Sequence, residues 1–158
     1  MQKKIKYNTG PFKTLGIWFS NRLKDKIDLN YTQRIEKVKT LLQIWSGRCL
    51  SLKGKITILQ TLIIPQIAFL FAALYAPTHI LEKIDNLLLS FLWNNKRPKV
   101  KRETIIAKIE DGGLKMPDIF EINKTAKIAW VKRLVGDNES KWKDLMYSLL
   151  NINKQHLL

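Results

Sequence analysis

The residues of this sequence whose types and spacing could do chemistry are its lysines and arginines. Residues 91–102 read FLWNNKRPKVKR: an apolar segment ends at Trp93, an Asn pair follows, and then come Lys96, Arg97, Lys99, Lys101 and Arg102. A second cluster, Arg48, Lys53 and Lys55, follows Trp45. Side chains of this kind bind phosphate by displacing condensed counterions, and a neighbouring aromatic can stack on a base or sugar. Pro98 disfavours helix and suits an extended arm along a backbone. A solvated loop and a localisation signal are the competing readings of that arm. Trp45 and Trp93 both sit on apolar stripes, so a core role outweighs stacking for each. Neither cluster accompanies a zinc finger, an aromatic RNA-binding strand or a recognition helix, so contacts to phosphates and shape are expected, with little reading of bases.

Covalent chemistry has far less support. There is no glycine-rich phosphate loop, no His-Glu-x-x-His and no Gly-x-Ser-x-Gly. A two-metal site needs carboxylates converging on cations about 3.5–4 Å apart, and the only adjacent acidic pair is Glu110-Asp111, beside a double-glycine turn. The single cysteine, Cys49, excludes an internal disulfide and reads as a small core residue. His79 and His156 are too far apart in sequence to suggest a metal centre or a triad. No catalytic residue, metal ligand or cofactor is expected, and the isolated chain is expected not to be an enzyme.

The totals point to the same ligand. Among 158 residues, 28 Lys and Arg face 13 Asp and Glu, giving a net charge of +15 and a pI near 10.0. Such an excess repels itself unless a polyanion offsets it, which makes nucleic acid the expected partner and an anionic membrane the weaker alternative. Residues 56–76 are mostly apolar, but Thr57, Gln60, Thr61, Pro65 and Gln66 interrupt them. A buried helix bent at Pro65 fits better than a span of about 20 apolar residues. The N-terminus MQKKIKYNTG has no apolar signal region, so the expected location is intracellular, nucleus or cytoplasm.

The elements that must position these side chains are mainly helical. Residues 12–19, with Gly16 among aromatic and β-branched neighbours, read as one strand, the glycine marking close approach of a backbone or ligand. Asn30 with Gln33 reads as the capping pair of a helix whose buried stripe is Tyr31, Ile35, Val38, Leu42 and Trp45 and which ends at Ser46-Gly47. Ser51 suits the cap of a central apolar helix over 52–76, kinked or split at Pro65. Pro77 and a capping Thr78 open a further helix with Ile80, Ile84, Leu87, Leu88 and Phe91 inward. Residues 103–110 fit a short strand or a short helix equally well. Asp111-Gly112-Gly113 is a turn. Asp118 with Glu121 forms a capping box for a helix facing Ile119, Ile122, Ala126, Ala129 and Trp130 inward. Asp137-Asn138 breaks that helix, and Ser140 caps a last one with Trp142, Leu145, Met146 and Leu149 inward. The fold class is therefore mainly α, a helical bundle preceded by a short N-terminal β-strand and interrupted by a basic loop.

Five segments, in order, resemble the reverse transcriptases of LINE-type non-LTR retrotransposons. Lys13-Thr14-Leu15-Gly16-Ile17 looks like the strand that follows the palm. Trp45 to Lys55, WSGRCLSLKGK, is similar to W-x-x-R-x-L-S-x-x-G-K. Ile64-Pro65, the apolar run to Tyr75, and Pro77 match a Pro…Tyr…Pro region. Phe91-Leu92-Trp93-Asn94 with Lys96 and Pro98 resembles F-x-W-x-x-K-x-P, and Gly112-Gly113-Leu114 with Pro117 resembles GGL-x-x-P. Each is weak alone; their shared order over roughly residues 12 to 133 is specific. The resemblance implies the thumb and post-palm region of such an enzyme: residues 1–20 end the palm-like strand region and 21–158 form one helical thumb domain. It implies that Leu15 and Gly16 lie near the primer terminus, as a primer-grip-like strand, and that an RNA–DNA hybrid or duplex is held by the helices. The palm and fingers, with the paired catalytic aspartates, are missing and would be the protein partner of this segment. An interaction remnant without independent activity and a small membrane-associated basic protein are the alternative readings.

Overall fold

The computed structural model describes residues 10–136 and 140–150. Two short strands, β1 (Phe12–Thr14) and β2 (Ile17–Phe19), pair antiparallel with Phe12 opposite Phe19, Lys13 opposite Trp18 and Thr14 opposite Ile17. The single strand expected over 12–19 is thus a hairpin. Leu15 and Gly16 both have positive φ, 48° and 81°, the signature of the tight turn whose twist matches that of paired strands. A Cβ on Gly16 would meet no atom within 4 Å, so this glycine supplies backbone conformation and not close approach.

Three segments form one continuous helical run: α1 (Leu23–Ile27), a π-helical turn (Asp28–Thr32) and α2 (Gln33–Ser46). Asn30 does not cap it. It lies buried in the π turn and clamps the hairpin: Trp18 N–H donates to its Oδ1 (2.9 Å), and its Nδ2 donates to the carbonyls of Trp18 (2.8 Å) and Lys26 (2.7 Å). Four of the five expected stripe residues, Tyr31, Ile35, Val38 and Leu42, are buried, with Trp45 half-buried beside them.

The central helix is likewise α3 (Leu52–Ile58), a π turn (Leu59–Ile63) and α4 (Ile64–Ala73). Ser51 caps α3, its Oγ accepting from Gly54 N–H at 3.1 Å. Pro65 falls in the first turn of α4, and the widened turn before it accommodates the missing N–H and the ring. Together Leu52–Ala73 form 22 helical residues, apolar enough by length and composition to cross a membrane; 33% of the most apolar window is buried within the fold. Helix α5 (Thr78–Trp93) opens with Pro77 in the capping position, so Thr78 is its first residue and not its cap. Residues 103–110 resolve as α6 (Arg102–Ile106) and a turn. Gly113 there is obligatory, since a Cβ would come within 2.1 Å of the Ala107 carbonyl oxygen.

Helix α7 (Ile119–Val135) is capped by Asp118, which accepts from the N–H groups of Phe120 (2.9 Å) and Glu121 (3.4 Å). Glu121 pairs with Lys124 at 2.7 Å. Of its expected inner face, Ile119 is buried, Ile122, Ala126 and Ala129 are half-buried, and Trp130 is exposed. The proposed break at Asp137-Asn138 lies outside the described residues, as do His156 and residues 1–9. Helix α8 (Lys141–Leu150) overturns most of its expected orientation: Trp142, Leu145 and Leu149 are exposed, Met146 is half-buried, and Lys143 is buried. Polar anchors to the end of α7 decide this, with Lys143 Nζ donating to the Gly136 carbonyl and Tyr147 OH to that of Leu134 (2.8 Å).

The core gathers around α4. Ile63, Ile67, Leu70 and Phe71 belong to one buried cluster with Tyr31, Val38, Ile84, Leu88, Ile105 and Ile119. Tyr31 and Phe71 have ring centroids 6.4 Å apart, and burial pushes the Tyr31 phenol well above its ordinary range. The architecture is a mainly helical bundle with a two-stranded antiparallel sheet at its N-terminal side.

Candidate nucleic-acid interface

The basic arm begins where α5 is forced to stop. Asn94 and Asn95 both take the left-handed conformation (φ 53° and 57°), and Asn95 N–H returns to the Ser90 carbonyl at 2.8 Å. Asn tolerates this conformation better than other side chains, so the Asn pair is the device that turns a buried helix directly into a surface arm. Phe91 is buried and Trp93 half-buried, both packed in or against the core. Beyond them Lys96, Arg97, Lys99 and Lys101 are exposed, with no carboxylate in ion-pair distance among the described residues. The arm bends over a groove of about 390 Å³ lined in part by Trp93, Pro98 and Val100.

Two of the expected phosphate ligands have other work. Lys55 is 5% exposed, and its ammonium donates to the carbonyls of Phe91 (2.9 Å) and Leu92 (3.2 Å) and to Asn94 Oδ1. All three of its protons are engaged at the C-terminus of α5, and burial pushes its pKa below the ordinary lysine value. Arg102 is also diverted: its Nη2 lies 2.9 Å from Asp85 and 3.4 Å from Asp118, and its guanidinium is 5.8 Å from the Phe120 ring. Burial pulls its pKa down, and the two carboxylates more than offset that, leaving it raised. It ties α5, α6 and α7 together.

Lys55 nonetheless defines the surface. By anchoring α3 to the end of α5, it brings the two basic clusters, far apart in sequence, to one end of the molecule. Lys53 and Arg48 are exposed there, Arg48 lying 4.4 Å over the Trp45 ring. Ser46, Asn94 and Asn95 line a common pocket of about 180 Å³ between α2 and α5. Cys49, expected in the core, is exposed beside Arg48. Leu15, at the hairpin tip, is 90% exposed, and Gly16 next to it is also exposed.

Sequence reasoning missed that lysines cap helices here. Lys127 Nζ donates to the carbonyls of Phe71 (2.6 Å) and Leu74 (2.7 Å) at the end of α4, burial lowering its pKa, and Lys143 Nζ donates to the Gly136 carbonyl after α7. A signal existed for Lys55. It lies three residues after Leu52, four before Leu59 and next to Ile56, within the apolar stripe of its helix. Among the described residues, no three His, Cys, Asp or Glu side chains gather in a way that could hold a metal ion.

No protein-family model matches the chain. Over 115 residues it is 24% identical to a protein of Arabidopsis thaliana that carries the name of a ribonuclease H protein; the match takes in 68% of this chain and 18% of that protein. The chain therefore spans less than a fifth of the length of this relative.

Proposed function

We propose that this chain is a nucleic-acid-gripping segment of a retroelement reverse transcriptase, the thumb and post-palm region of a LINE-type enzyme, and that it holds a template–primer duplex by its phosphates. The observation that carries this reading is the meeting of Arg48 and Lys53 with the exposed arm of Lys96, Arg97, Lys99 and Lys101 at one end of α5. Side chains so placed, without carboxylates to neutralise them among the described residues, are suited to phosphates. The order of the five motif segments supports the family, and the plant relative's name supports a role on nucleic acid. We propose further that the segment is not catalytic by itself and that it acts inside the cell. Lys55 and Arg102 serve this surface by building it.

A dye on Cys49, exposed and the only cysteine, permits a direct test. Fluorescence titration with an RNA–DNA hybrid is expected to show tight binding at low salt, with log K falling linearly against log salt by about 0.9 for each B-form phosphate contact. Replacing Lys96, Arg97, Lys99 and Lys101 by Ala should flatten that slope by several units. Absence of binding to any hybrid or duplex at low salt would refute the reading. The second reading, an interaction remnant, rests on the exposed apolar residues of α7 and α8, and it predicts self-association without nucleic-acid binding.

A further inference from the structure

A second basic cleft lies at the other end of α2. Lys13 of β1, Trp18 of β2, and Gln33, Arg34 and Lys37 of α2 line a space of about 100 Å³ between the hairpin and the helix. That is room for a few water molecules at about 30 Å³ each, and so for a single tetrahedral oxyanion. No carboxylate lines it, and Lys13, Arg34 and Lys37 have no ion-pair partner among the described residues. Lys13 Nζ lies 5.6 Å over the Trp18 ring. The Trp18 indole N–H is buried with no acceptor among the described residues.

The cations come from elements locked to each other. Asn30 joins the hairpin to the helical run through two hydrogen bonds to the backbone of Trp18, so Lys13 cannot drift far from Arg34 and Lys37 without breaking them. Gln33, Arg34 and Lys37 share one face of α2 at helical spacing, Ile44 continues that face, and Arg48 follows just past the end of the helix at Ser46. The run from Arg34 to the end of α2 is roughly 18 Å at 1.5 Å per residue. That corresponds to about five base pairs at about 3.4 Å each.

We propose that the cleft formed by Lys13, Arg34 and Lys37 binds one backbone phosphate of a nucleic-acid strand, at a second point about five base pairs from the arm. This rests on the function proposed above and adds a site to it. The cleft at the start of α2 and the arm that leaves α5 beside the end of α2 are two separated anchors, and together they fix the direction of a duplex along α2, which an arm alone does not.

The test compares three proteins on one RNA–DNA hybrid over a salt series: wild type, the double variant Arg34→Gln with Lys37→Gln, and Lys13→Ala. Lys13 is exposed, so its variant guards against a folding defect in the double variant; thermal melts of all three are recorded. The double variant is expected to lose about one unit of salt slope, and Lys13→Ala to weaken binding at every salt concentration. An unchanged slope and affinity in both variants, with the arm variant still flattening the slope, overturns the cleft and leaves the proposed function standing. Wild-type protein that binds no hybrid or duplex overturns the function itself. Inorganic phosphate that moves the Trp18 and Lys37 NMR signals, while neither variant alters duplex binding, assigns the cleft to a free oxyanion and also overturns the proposal.

Discussion

An ammonium group set among the last carbonyls of a helix satisfies acceptors that have no intrahelical donor and meets the negative end of the macrodipole. Lys55 does this for α5, Lys127 for α4 and Lys143 for α7. Lys55→Met keeps the stem and removes the donors, leaving buried carbonyls unmet. Urea unfolding should show a loss of about 1–3 kcal/mol, while the salt slope of duplex binding stays unchanged. The pH dependence has a definite sign. The folded ammonium gives up its proton more readily than the unfolded one, so the unfolded chain binds more protons between the two pKa values. Wild-type stability relative to Lys55→Met should therefore rise as pH climbs toward the ordinary lysine value of 10.5; a gap that narrows over that range would mean that the ammonium's hydrogen bonds to the end of α5 outweigh its desolvation. Arg102→Ala strands Asp85, which is 8% exposed, and should cost about 2 kcal/mol, again without altering the slope. Both residues were legible in the sequence as basic but not as occupied. A charge run records which side chains are cationic, and their partners come from segments 36 or more residues away for Lys55 and 16–17 for Arg102.

Elements with a strong local period were legible, and those decided by a turn or a distant anchor were not. The stripes Tyr31–Ile35–Val38–Leu42 and Ile80–Ile84–Leu88 fell inward as their spacing dictates. Asn30 has the chemistry of a cap, but three backbone partners compete for it, two of them in β2. The hairpin was hidden because Leu15 occupies a turn position that Asn, Asp or Gly normally holds. A leucine there carries a left-handed penalty of about 1–2 kcal/mol. Leu15→Asn should relieve part of it and raise the melting temperature by about 2–4 °C per kcal/mol recovered. A calorimetric scan in which the variant melts lower would show that Leu15 makes a stabilising contact its exposure does not suggest. Gly113→Ala should act in the opposite direction, because the Ala107 carbonyl already fills the space of its Cβ and the whole return from α6 to Met116 would have to move.

At the scale of the whole molecule, two surfaces oppose each other in their effect on association. The net charge of +15 repels copies of the chain at low salt. Exposed Ile128, Val131 and Val135 on α7 and Trp142, Leu145 and Leu149 on α8 are attractive at any salt concentration. Trp130 and Trp142 pack edge to face at 6.2 Å between the two helices. The sequence pattern places Trp142, Leu145 and Leu149 in the interior; all three are exposed, and Lys143 and Tyr147 hold α8 to the end of α7. Raising salt shortens the screening length from about 10 Å at 0.1 M to about 3 Å at 1 M, which removes repulsion between copies and leaves apolar attraction intact. Sedimentation velocity should therefore show a monomer at low salt and a larger species as salt rises. Trp142→Lys with Leu145→Lys should hold the monomer at all salt concentrations while leaving duplex affinity at low salt unchanged. Association that instead weakens with salt would mean that charge, through a bound polyanion, joins the copies, and the α7–α8 face would then play no part in it.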